Sequence, residues 1–576
     1  MPRVFKDIAD VAEFRSKRLR LPELNVLVPD AQLYEILAIQ PGGVIDYNDD
    51  FVGHALHDSA VRKFNHFLQI GVEKNCDLVL SPEYSLPWDS LREAIANDIL
   101  PGEGKLWILG CEAITREQLR AFEAGNDRII WIHEPIPTTA GRFLNVVCYL
   151  FKTKSKAGVV KSVALLQFKT QAMVDAKFAW ERDRLIVGET IYFLHNDRDH
   201  IRLMTLICAD ALEFEPYRDN DFRMDLHPYV IFHPQLCDNP RHTAIQNYRT
   251  SLFAAEPSKN TEVMVLNWAH KFQLGPLTSP YGGSAIYSKS EKFNRTDGVL
   301  DANHKLGLYY SNWNNQHTHM CLLNYDEHVF HLRAQKVTTV GKAALANRSG
   351  PSVAALYTWI DQNSNWLISE KAEDGFKALC DSYKRNPMDW CAGVEYTSVD
   401  RERLLTLSAG KLEPDQKWHA IENLRSFKAE QDERTKRLTF VQEQSAESVE
   451  FRNDHLTRYI TLQKTIISDP NQYPPNIEDL KGDCELTPPG NTNDFRFNLK
   501  SKSGTRQGAT GIFLDQQPPD EVENLKGKFI AEWGRDKTRR LVLWYRHDEV
   551  IKCSHPPLPS ISDDGEHPAS IVRNSP

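Results

Sequence analysis

Between Glu23 and Val340 the chain carries nine short apolar runs rich in β-branched and aromatic residues, each followed by a helical or loop-like segment. They read LYEILAIQ (33–40), CDLVLS (76–81), KLWILGCEA (105–113), RIIWIHE (128–134), FLNVVCYLF (143–151), SVALLQF (162–168), IRLMTLI (201–207), YVIFH (229–233) and EVMVLNWA (262–269). Helices are expected over 57–75 and 241–256, where apolar residues recur at three- and four-residue intervals. Strands alternating with helices build a layered α/β domain. Nine strands are too many for one layer of a small sandwich.

At 576 residues the chain has room for roughly two to four domains. With 41% apolar and 26% charged residues, it is neither a disordered chain nor a collagen-like fibre. A net charge of -9 argues against a general nucleic-acid binder, which needs clustered Lys and Arg to neutralise phosphates. Small ligands and protein partners are the default. The ten cysteines form no CxxC pair, which suits free thiols in a reducing compartment better than a disulfide framework or a Cys-rich zinc site. The N-terminal stretch has no apolar core of a leader, and no run of about 18 apolar residues occurs. A cytoplasmic protein without a membrane partner is expected.

The expected division is an N-terminal extension (1–22), the α/β domain (23–341), a charged helical domain (342–468), a Pro-rich linker (469–484), a small β-rich module (485–555) and a flexible tail (556–576). The helical expectation rests on stretches such as ALYTWIDQNSNWLISEKAEDGFKALCDSY and LRSFKAEQDERTKRLTF, with mixed charge at helical spacing. Three prolines in DPNQYPPN mark the linker.

Three of the apolar runs stop at a chemically capable side chain: Glu83, Lys169 and Cys208. Singly, each has an ordinary explanation, as a strand-end charge or a small buried thiol. Together they supply what a thiol needs to cleave a C–N bond: a base for its proton, a cation or donor for the developing oxyanion, and a place at a strand end where loops converge. The backbone N–H of Ala209 is the second oxyanion donor. A helix beginning at Cys208 is expected to lower the thiol pKa.

Glu83 in VLSPEYSLPW, Lys169 in LLQFKTQ and Cys208 in LICADALE, in this order, resemble the Glu-Lys-Cys triad of the nitrilase superfamily of carbon-nitrogen hydrolases. Glu181, seven residues before Gly188, resembles the family's second glutamate ahead of a glycine turn. AIQNYRTSLFAAE, VLNWAH and YGGSAIYS resemble its later helix and strands. The likeness covers roughly residues 23 to 340. It implies a four-layer α-β-β-α sandwich, followed here by the helical domain and the β-rich module. It also implies Glu83 as general base and acid, Lys169 as stabiliser of the tetrahedral intermediate, Cys208 as covalent nucleophile and Glu181 as a positioning group. No cofactor and no metal is implied, and self-association is. Tyr84 and His233 are candidate substrate contacts. Many family members carry a His two residues after the lysine, where this chain has Gln171 after Thr170; the triad stands, and the family's substrates do not transfer.

Rival readings are weaker. His317 and His319 with His328 or His331 are a conceivable metal cluster, more simply a hydrated hairpin. A papain-like pair of Cys208 with His233 or His270 leaves Glu83 and Lys169 unexplained. There is no GxxxxGK[ST] loop and no convincing GxGxxG. The expected function is therefore hydrolysis of a small amide, N-carbamoyl compound or nitrile. The alternative is a nitrilase-like sensor or scaffold whose residues 342–576 bind a protein partner.

Overall fold

The computed structural model describes residues 3–30, 32–138, 141–173, 178–198, 201–212, 214, 227–238, 248, 252–253, 261–278, 283–289, 292–293, 308–313, 318–324, 326–337, 347–348, 351–369, 404–405, 408–409, 446–487 and 497–557. The chain is mixed α/β and divides into two compact units, one formed mainly by residues 1–399 and the other mainly by 451–576. Among the described residues no helix is long and apolar enough to cross a membrane.

The first unit holds two large mixed sheets. One runs, in order, Asn365–Ile368, Ser352–Ile360, His328–Gln335, Leu33–Gln40, Leu78–Leu86, Leu106–Cys111, Val146–Lys154, Val160–Phe168 and Ile130–Ile132. The other runs Val4–Asp7, Thr190–His195, Arg202–Thr205, Tyr229–Pro234, Glu262–Leu266, Ala285–Lys289, Thr318–Leu322 and Tyr309–Trp313.

The period-2 pleat explains how they pack. Ile36, Leu78, Leu80, Ile108 and Tyr149 from the nine-stranded sheet share one core with Leu203, Val230, Phe232, Met264 and Ile286 from the eight-stranded sheet. The intervening residues point the other way: Leu37, Val79, Trp107 and Cys148 meet Phe64, Leu91, Leu119 and Phe122, buried residues of the helices His57–Glu73, Trp88–Ala96 and Arg116–Ala124. On the far side, Met204, Ile231, Val263 and Val265 meet the helical residues Tyr248, Leu252 and Phe253. Every residue of Leu78–Leu86 is buried, as a strand covered on both faces requires.

The domain is wider than expected at both ends. Val4–Asp7 pairs in parallel with Thr190–His195, so the first residues belong to a sheet and not to a separate extension. Ser352–Ile360 and Asn365–Ile368 form an antiparallel hairpin on the nine-stranded sheet, inside the stretch expected to be helical. The composition of ALYTWI and NWLI, rich in Tyr, Thr, Trp and Ile, favours strand, and Ser364 at φ 47° makes the left-handed turn between them. Residues 370–403 and 410–445, the bulk of the expected helical domain, lie outside the described residues; the helix Ala446–Thr461 is described.

In the second unit Thr510–Gln516 lies parallel to Leu541–His547, which pairs antiparallel with Val550–Ser554. The connection between the parallel strands is the helix Pro519–Trp533, whose Val522, Leu525 and Phe529 pack on Ile512, Leu514 and Leu543. A parallel pair needs such a crossover, so the module expected to be β-rich is α/β. The Pro-rich stretch packs instead of linking: Asn476 Nδ2 donates to the carbonyls of Arg539 and Leu541 (3.0 Å each), and Trp544 Nε1 donates to Gln472 O (3.0 Å). Proline ends regular structure without preventing burial.

Candidate active site

Glu83 sits where Leu78–Leu86 departs from regular pairing. Its register with Leu106–Cys111 breaks between Ser81 and Leu86, and Tyr84 takes φ 55°, a left-handed backbone that costs a non-glycine residue about 1–3 kcal/mol. Ser85 Oγ donates to Pro82 O (2.7 Å) and Trp268 Nε1 to Glu83 O (2.8 Å), which holds the bulge. Position 110 must be glycine, because a Cβ there would stand 2.0 Å from the Pro82 carbonyl oxygen. The Glu83 carboxylate is 1% exposed. Its Oε1 accepts from Asn145 Nδ2 (2.7 Å) and Lys169 Nζ (2.8 Å), and its Oε2 from Leu236 N (2.8 Å).

Lys169 follows the strand Val160–Phe168. Its N–H donates to Asn145 O (3.0 Å), and its carbonyl accepts from Gly188 N (2.9 Å). A Cβ at Gly188 would lie 2.7 Å from Phe168 Cβ, which explains the glycine after Glu181. Lys169 Nζ bridges Glu83 and Glu181, reaching Glu181 Oε1 at 2.6 Å. Glu181, on the helix Ala179–Arg184, is oriented by Tyr84 OH (2.7 Å to Oε1) and Met173 N (2.8 Å to Oε2). Burial alone would lower the Lys169 pKa, but the charges of Glu181 and Glu83 hold it well above its ordinary value. Burial, reinforced by Glu181 and opposed by Lys169, raises Glu83.

Cys208 follows Arg202–Thr205, takes φ 43° and is 4% exposed. The segment behind it is one 3-10 turn, Cys208–Ala211, not a longer helix. The expected dipole effect is corrected accordingly: burial and then the Glu83 charge push the thiol well above its ordinary value, with Lys169 opposing. A thiol that rests protonated needs a base, and Glu83 belongs to the same electrostatic cluster. The Ala209 N–H is next in the chain.

Asp210 clamps the Cys208 turn to the lysine loop. Its Oδ1 accepts from Thr170 N (2.9 Å) and Thr170 Oγ1 (2.8 Å), and its Oδ2 from Ile207 N (3.1 Å). Gln171, where many nitrilase-like sequences have His, accepts from the Arg3 guanidinium, which also donates to Asp210 O (2.6 Å). The first residues of the chain thus brace this loop.

His233 is fully buried with Nε2 3.0 Å from Cys208 O. That nitrogen holds the Cys208 backbone and sits on a carbonyl and not on the thiol. Tyr84 supports Glu181 through its hydroxyl. His270 pairs with Asp326 (3.2 Å). His319 lies on the eight-stranded sheet, whereas His328 and His331 lie on the nine-stranded one, so no hairpin unites them. His331 faces Glu35 (2.7 Å) and His328 faces Asn324 (2.9 Å); His317 is outside the described residues. Among the described residues no group of three or more His, Cys, Asp or Glu is arranged to hold a metal.

Asn145, Asp210, Trp268 and the Leu236 N–H complete the site and were missed by sequence reasoning. A signal existed for Asn145, the polar residue inside FLNVVCYLF, since a buried amide in an apolar strand needs a partner.

No protein-family model and no curated protein matches the chain. Among solved structures it is similar to a glutamine-dependent NAD(+) synthetase from Cytophaga hutchinsonii, with 11% identity and a TM-score of 0.25. That match covers 44% of this chain and 39% of the synthetase, so the chain spans well under half of that protein's length.

Proposed function

We propose that the chain is a cysteine-dependent hydrolase of a non-peptide C–N bond in a linear amide, N-carbamoyl compound or nitrile, built on a four-layer α-β-β-α sandwich of the nitrilase kind. The observation that carries this reading is Lys169 Nζ, buried and bridging Glu83 (2.8 Å) and Glu181 (2.6 Å) in the electrostatic cluster that includes Cys208.

In this mechanism Glu83 takes the proton of Cys208, and Sγ attacks the substrate carbon. Lys169 Nζ and the Ala209 N–H stabilise the oxyanion. Protonated Glu83 then gives its proton to the departing amine as the C–N bond breaks, leaving a thioester. A water deprotonated by Glu83 attacks the thioester, and collapse of the second tetrahedral intermediate releases the carboxylate and restores the thiol. A nitrile passes through a thioimidate. Glu181 positions Lys169, and Asn145 and the Leu236 N–H aim Glu83 at the sulfur.

The second unit, with a core of its own, is assigned to recognition or regulated assembly, with self-association and a possible protein partner through residues 342–576. The eight described cysteines are free thiols, in keeping with a cytoplasmic setting. Cys208→Ala in the full chain tests the reading. Ammonia release from the cognate substrate should fall by at least about a thousandfold with an unchanged melting profile, and full residual hydrolysis would refute the mechanism. No turnover of any amide or nitrile by the full chain, alongside binding of a protein partner, would favour a scaffold instead.

A further inference from the structure

Three stretches of the chain meet in one apolar cluster beside the catalytic groups: Tyr47 and Val52 from the first, Met173 and Trp180 from the second, Leu236 from the third. The chain segments that hold the chemistry enter the same cluster, Tyr84 next to Glu83 and Ala209 next to Cys208.

The cluster has a solvent-facing edge. Tyr47, Ala172, Leu212 and Leu277 are only partly buried, and Tyr47 stacks on Trp180 with centroids 5.0 Å apart and planes 27° from parallel. Two arginines close to this edge are engaged with the protein: Arg184 Nε with Asp49 (2.7 Å) and Arg3 with Gln171 and Asp210 O. At its base two carboxylates face one ammonium. A substrate anion seated here would lose its water against apolar side chains and be repelled by the Glu83–Glu181 pair.

We propose that the group on the acyl side of the scissile bond is uncharged and aromatic or branched aliphatic, seated against Tyr47, Ala172, Trp180, Leu212, Leu236 and Leu277. The inference rests on the hydrolase reading above and narrows it to neutral, apolar acyl amides and nitriles. It turns away amides whose acyl chain carries a carboxylate.

The test uses the full chain with two parallel readouts. Alkylation of Cys208 by iodoacetate, iodoacetamide and N-phenyl iodoacetamide is followed by peptide mass, and ammonia release is followed with acetamide, phenylacetamide and glutaramate. The N-phenyl reagent should label Cys208 at least about tenfold faster than iodoacetate, and phenylacetamide should exceed acetamide by about a hundredfold in kcat/KM, as for a ring seated in an apolar pocket. Tyr47→Ala should cut the phenylacetamide-to-acetamide ratio at least about tenfold, while Tyr47→Phe, which keeps the ring, preserves it. Equal labelling by all three reagents, or a preference for iodoacetate or glutaramate, overturns the apolar seat and leaves the hydrolase reading standing. A Cys208 inert to every reagent, with no ammonia from any amide, overturns the hydrolase reading itself.

Discussion

Glu83 and Glu112 are buried carboxylates carried by adjacent strands, and their surroundings differ. Glu83 lies on the bulge of Leu78–Leu86 and Glu112 directly after Leu106–Cys111. Burial raises both, Glu112 to about 7. Around Glu83 stand an ammonium, a second carboxylate and a thiol. Around Glu112 stand the His54 N–H (2.9 Å), the half-exposed His57 ring (3.8 Å) and the backbone of Gly53, where a Cβ would come within 2.5 Å of Oε1. A raised carboxyl marks burial; chemistry requires in addition a partner charge and a nucleophile. Glu112 reads as a strap holding Val52–His54 against the sheet.

Four substitutions break or sharpen that contrast. Lys169→Met has the largest expected effect, because it leaves two carboxylates buried against each other: kcat should become undetectable and denaturant unfolding should show a loss of about 3–5 kcal/mol. Glu83→Gln keeps the shape and removes the base, so kcat should fall about 10²–10⁴-fold with little change in stability. The residual rate should also lose its acid limb, which in the wild type lies above the ordinary carboxylate range because burial raises Glu83. Gly110→Ala forces a methyl into the Pro82 carbonyl and should cost about 1–3 kcal/mol, with a fall in kcat as the bulge carrying Glu83 shifts.

Glu112→Gln should leave kcat within about threefold and show itself in stability against pH. Burial lifts the folded pKa from 4.5 to about 7, so across that window the native protein keeps a proton that the unfolded chain has released. Stability from this group therefore falls as pH rises from about 4.5 to about 7, by roughly 3 kcal/mol in all, and is level above. Relative to Glu112→Gln, the wild type should weaken over that interval in urea unfolding. A large loss of turnover in this variant would place Glu112 in the chemistry and erase the contrast.

The expected strand at 33–40 matches Leu33–Gln40 in full, and most other apolar runs coincide with strands to within a few residues. Such runs are legible because burial on both faces leaves little choice of residue. Less legible were Val44–Tyr47 and Val52–His54, short and mixed in polarity, and the hairpin 352–368, where charge nearby masked a strand composition. A sequence places His233 in an apolar run without saying that its ring meets the Cys208 carbonyl.

By itself, the sequence determined that Glu83, Lys169 and Cys208 end apolar runs, and a resemblance to the nitrilase superfamily is what suggests grouping them with Glu181. Tertiary structure alone decided that Lys169 bridges the two glutamates, that Asp210 ties the lysine loop to the Cys208 turn, and that His233 holds the backbone of Cys208. The physical reason is range. Strand and helix formation answer to neighbours a few residues away, whereas the Trp268 bond to the Glu83 carbonyl spans 185 residues. Such a bond exists only after two sheets have closed on a common core.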